Sequence, residues 1–125
     1  EKINWNLGAQ VVGGTRISET GALDVEIFES GNITIKTKEG NTKGTKEVDM
    51  SAGSTEKVQL VLIASSDYSD ITYKIADGDE KKLEKPLMLL GPGAAQLLGK
   101  DLNKITFSNG SDKEVSIKIL IGRNT

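Results

Sequence analysis

The sequence has no cysteine and no histidine. Disulfide staples, thiolate nucleophiles, Cys/His zinc sites and imidazole acid–base catalysis are therefore outside its chemistry. The missing cysteine leaves the compartment open. Aromatic residues are few: Trp5, Phe28, Tyr68, Tyr73 and Phe107. The core must be aliphatic, and ring platforms for sugars or bases are scarce. No apolar run approaches the roughly 20 residues of a membrane-spanning helix, so no membrane insertion is expected. Charge of one sign is also lacking. The formal net charge is -2, with acidic and basic residues interspersed. A nucleic-acid binder would show a basic stripe, and the scattered lysines read as a solvated surface. The chain opens at Glu1 rather than Met, as a processed or trimmed chain would.

What is present suits one β domain spanning residues 1–125. A chain of 125 residues buries roughly two-thirds of its unfolded surface on folding. The apolar share is 36%, and much of the remainder is Thr, Ser, Lys, Asn and Gly. That mixture fits sheets with one wet face.

Period-two alternation recurs along the chain. Ile3, Trp5 and Leu7 form a short apolar face, with a bulge expected at Gly8 and a turn at Gly13-Gly14. Trp5 reads as a lid on the core edge. Residues 22–28 alternate as a half-buried strand. Ser30-Gly31-Asn32 reads as a turn into a second strand, Ile33 to Lys38, which predicts a hairpin. Residues 39–46 are the most polar segment and read as an exposed loop or protruding arm. Val58 to Ala64 is aliphatic on both faces and reads as a central strand covered on both sides. Asp77-Gly78 offers a type I′ turn. Pro86 demotes residues 85–90 to an edge or an extended connection. Pro92 and Gly99 bracket the one plausible helix. The clearest pattern is the last: Ile105 to Phe107, a loop from Ser108 to Asp112, then Val115 to Ile121, read as a β-hairpin. Val115, Ile117, Ile119 and Ile121 share a face that should be buried, and Leu120 lies on the other. About eight short strands with regular turn signals predict an all-β, antiparallel β-sandwich or jelly-roll-like fold.

Candidate chemistry fails on detail. Gly93 to Lys100 has five residues between its glycines where a phosphate loop needs four, and Asp101 replaces the magnesium-binding hydroxyl. Asp67, Asp70, Asp77, Asp79 and Glu80 lack calcium-loop spacing and read as turn carboxylates. Asp24 and Glu26 read as neighbours on one strand face, about 7 Å apart, a spacing any such pair would show. Asn32-Ile33-Thr34 and Asn109-Gly110-Ser111 match the glycosylation acceptor pattern, and the second is better used as a turn. No catalytic residue, metal ligand or cofactor follows, and an enzyme is not expected.

The closing pattern runs from a Gly/Pro turn through Ile105 to Asn109 into an aliphatic strand ending Gly122-Arg123. In general style it resembles small β-structured subunits of phage particles, without a specific motif. The expectation is a non-enzymatic structural subunit that forms a homo-oligomer or binds an assembly partner. A virion, extracellular or cell-surface setting is favoured over the cytoplasm. The alternative is a secreted or surface binding module for a glycan or host protein. Lys43, Lys46, Tyr68, Leu87, Leu89 and Leu120 are the candidate interaction residues.

Overall fold

In the computed structural model, residues 1–50 and 53–125 are described. They form ten strands in three antiparallel sheets, with one short helix. The fold is all-β and sandwich-like, as the alternation predicts.

Strands β1 (Lys2–Gln10) and β2 (Arg16–Asp24) pair along their whole length as a separate two-stranded ribbon. The body has two four-stranded sheets. The first runs β3 (Ile27–Ile35), β10 (Val115–Arg123), β5 (Val58–Ser65), β8 (Leu87–Leu90). The second runs β4 (Gly44–Asp49), β9 (Lys104–Asn109), β6 (Ile71–Ile75), β7 (Lys81–Lys82). Their inner faces meet in one core. Ile35, Val61, Ile63, Val115, Ile117, Ile119 and Ile121 come from the first sheet; Ile71, Tyr73, Ile75, Ile105 and Phe107 come from the second. The expected burial of Val115 to Ile121 at alternate positions is observed.

Among the described residues, only β1–β2 and β6–β7 are hairpins between successive strands. Every other connection from β3 onward crosses from one sheet to the other, and this corrects several expectations. Ile105 to Ile121 is not a hairpin, because β9 and β10 belong to opposite sheets. The crossing is held by Asn109, which is fully buried. Its Nδ2 donates to the carbonyls of Lys113 (2.7 Å), Lys36 (3.1 Å) and Ile35 (3.4 Å), and its Oδ1 accepts from the Ser111 amide and hydroxyl. A buried amide satisfied on both ends turns the chain where a tight hairpin would have kept it in one sheet. It also withdraws Asn109 from any glycosylation role.

The expected turn at Ser30-Gly31-Asn32 is likewise absent. β3 runs straight through it, with Ser30, Gly31 and Asn32 opposite Leu120, Ile119 and Lys118. The long strand β10 offers a partner at every position, and that pairing overrides local turn preference. The true break falls at Val25-Glu26, so Asp24 ends β2 and Glu26 lies in the joint rather than on the same strand. Gly8 pairs with Ser18 in unbroken register and makes no bulge. The β6–β7 turn sits one residue earlier than expected: the Gly78 amide donates to the Ile75 carbonyl (2.9 Å), and positive φ falls on Ala76. β8 is an edge strand, and Pro92–Ala95 with the 3-10 turn Gln96–Leu98 forms the short helix, both as expected.

Candidate assembly surface

The outer faces of the two sheets differ in character. Side chains directly opposite across an antiparallel pair point to the same side. On the second sheet the outward rows are Glu47 and Thr106 with Lys74, then Thr45 and Ser108 with Thr72. All are polar. On the first sheet the outward rows are Phe28, Gly122, Leu60, Leu90, then Ser30, Leu120, Leu62, Met88, then Asn32, Lys118, Ala64. The first two rows are largely apolar.

The ribbon covers part of this apolar face. Register places Ile3, Trp5, Leu7, Ala9, Ile17, Glu19, Gly21 and Leu23 on one side of it. Lys2, Asn4, Asn6, Gln10, Arg16, Ser18, Thr20 and Asp24 lie on the other. At the base, Ile3 and Val25 sit over Gly122. A Cβ there would lie 2.8 Å from Ile3 Cδ1 and 3.1 Å from Val25 Cγ1. Glycine is thus what lets the ribbon root close onto the sheet. Leu60 in the same row is 1% exposed and Val25 3%. Hydrogen bonds fix this root. The Val25 amide donates to the Glu1 carbonyl (2.9 Å), the Glu26 amide to Asn124 Oδ1 (3.1 Å), and the Thr125 hydroxyl to Glu26 Oε2 (2.6 Å).

Beyond the root the ribbon leaves the body. Every residue from 6 to 20 is exposed. Its apolar side goes with it: Leu7 is 45%, Ile17 61% and Val11 67% exposed, and Val12 in the tip turn is 98% exposed. Trp5 is half-buried, but against its own ribbon, where it packs over Gly21, so it is not a lid on the core. The protruding arm is therefore residues 1–24. Residues 39–43 form an exposed turn bridged by Glu39 and Thr42, in keeping with the exposed loop expected there, and β4 begins at Gly44.

The second row stays open. Leu62 and Leu120 are half-buried and line a shallow groove of about 500 Å³ with Ala64, Ser30, Gly31, Asn32, Lys118 and the edge of Ile119. Val58 to Ala64 is thus a central strand, as expected, but its outer cover stops at Leu60.

The six residues singled out from sequence do not converge. Leu87 and Leu89 face inward opposite Ile63 and Val61 and pack against the core. Tyr68 also packs there, and its hydroxyl accepts from the Ser65 amide (2.9 Å). Lys43 pairs with Glu80 at 3.7 Å. Lys46 is exposed on edge strand β4, opposite Phe107. A charge on the inward side of an edge strand discourages edge-to-edge pairing. Leu120 alone lines the open apolar face. Sequence reading missed Leu7, Val11, Val12, Ile17 and Leu62. Carrying the alternation of Ile3, Trp5, Leu7, Ala9 and Val11 through Gly8 would have found Leu7 and Val11.

Among the described residues no group of carboxylates is arranged to hold a metal ion, and no helix is long and apolar enough to cross a membrane. Asp67 is held below the ordinary 3.8 of an aspartate, first by the Ser69 hydroxyl, then by the Ser69 amide, with Lys113 adding attraction. It is a turn carboxylate: the Ser69 amide donates to its Oδ2 at 3.2 Å, and Lys113 Nζ stands 3.9 Å away. The chain matches no known protein family, no curated protein and no solved structure.

Proposed function

We propose that the protein is a non-enzymatic assembly subunit whose copies associate through the arm and the apolar outer face of the first sheet. The observation that carries this reading is the arm's apolar side, covered at Ile3 and left open from Leu7 to Ile17. An isolated two-stranded ribbon is marginally stable in water unless its apolar face is packed. A rigidly rooted ribbon carrying such a face suits a contact made outside its own body. A particle or surface assembly built from many copies would use such an arm.

The test is the mass of the full chain in solution. Sedimentation velocity across the micromolar range should show concentration-dependent self-association. A monomer throughout that range would overturn the reading. The glycan- or host-binding alternative draws less support. The groove beside Tyr68 is lined by Ser69, Asp70, Ile71, Lys82 and Glu84, and takes in neither Lys43 nor Lys46.

A further inference from the structure

The assembly reading leaves open what the arm touches, and the charges on the two apolar surfaces narrow it. Glu19 is the one charged side chain on the apolar side of the ribbon, directly opposite Leu7 and two residues from Ile17. Lys118 is the one charged residue lining the Leu62–Leu120 groove. Both are exposed, and neither takes part in an ion pair among the described residues. Each surface is thus apolar with a single charge, and the two charges are opposite.

We propose that the distal apolar side of one copy's arm seats in the Leu62–Leu120 groove of a second copy, with Glu19 beside Lys118. This rests on the assembly reading and names its interface. The arm cannot fill its own groove as rooted here, because Leu7, Val11 and Ile17 stay exposed. The contact also continues a mode the chain already uses: the proximal apolar side, at Ile3, covers Gly122 in the first row of this same sheet face. The groove is the next row along. Leu7, Val11 and Ile17 would lie over Leu62, Ala64 and Leu120 as a sheet-on-sheet contact, about 10 Å between layers. Arm and groove are different patches, so the contact is heterologous. It builds a ring if the rotation closes and an open chain if it does not.

Charge reversal on the full chain tests the pairing. Glu19→Lys and Lys118→Glu each place like charges together, and each should weaken self-association by roughly tenfold or more at low salt. The double variant should regain wild-type association. An equimolar mixture of the two single variants should also associate, because every arm then finds a complementary groove. Both positions are exposed, so circular dichroism melts should match wild type and separate this effect from misfolding. Wild-type association that survives both single reversals would overturn the arm-in-groove contact while the assembly reading stands. Failure of the double variant to recover would overturn it equally. A monomeric wild type would remove both.

Discussion

The two sheets share one core yet differ on their outer faces. The second sheet presents Thr45, Glu47, Thr72, Lys74, Thr106 and Ser108 on its outer side, an all-polar set in which Thr72 and Ser108 are themselves largely buried. The first presents Phe28, Leu60, Leu62, Leu120, Met88 and Leu90, and its own arm closes over this face only around Gly122, leaving Phe28 45% exposed. A β-sandwich needs one apolar face per sheet. The second apolar face of the first sheet is therefore surplus to folding the body, and the arm that half-covers it extends the same apolar surface into solvent.

The largest effect should come from breaking what the sheets share. Phe107 is fully buried between them, so Phe107→Ala should cost about 3–5 kcal/mol by denaturant unfolding. A loss under about 1 kcal/mol would mean the sheets are not packed as described. Next is the corner that joins them. Asn109→Ala removes the Nδ2 donor from three carbonyls, of which that of Lys113 keeps the Ser111 hydroxyl, and should cost about 2–3 kcal/mol, with hydrogen exchange rising first around residues 109–115.

The contrast between outer faces is sharpened by substituting equivalent positions. Gly122→Ala must push Ile3 and Val25 aside and should cost about 1–3 kcal/mol, with proteolysis at the arm root increasing. On the other sheet, Thr106→Val at an outward position should change stability by less than about 0.5 kcal/mol. Equal effects would erase the distinction. Leu120→Ser in the open row should cost less than about 1 kcal/mol, because the side chain is already half in water, yet it should reduce self-association.

The smallest effect concerns the Ser65–Ser69 turn. With its folded-state pKa depressed, Asp67 adds stability that is present above its ordinary pKa and lost as pH falls through the lowered one. An NMR titration should place it below 3.8 in wild type and return it toward that value in Ser69→Ala. An unchanged midpoint would show that the Ser69 contacts are not its cause.

Much of the fold was legible along the chain. Period-two burial of Val115, Ile117, Ile119 and Ile121, the edge role of β8 and the short helix after Pro92 all follow from side-chain alternation and backbone restriction, which are local properties. The partners of those strands were not legible. Reading β9 and β10 as a hairpin assumed that neighbours in sequence pair in space. Here nearly every connection crosses the core, and pairing is settled by which distant strand offers a matching apolar face. Ser30-Gly31-Asn32 carries turn residues and still lies flat in β3, because β3 pairs with β10 at nine consecutive positions that run through it.

The candidate surface divides in the same way. Composition alone determined the negative half: without cysteine or histidine, thiolate, imidazole and Cys/His zinc chemistry have no side chains to use. That Leu120 faces away from Val115 to Ile121 was also fixed by alternation. Whether that outward face is covered is a different matter. Tertiary structure decided it, by placing Ile3 and Val25 over Gly122, stopping the cover at Leu60 and sending Leu7 to Ile17 away from the body. Alternation assigns a side chain to a face; only the packing of remote segments decides what, if anything, lies on that face.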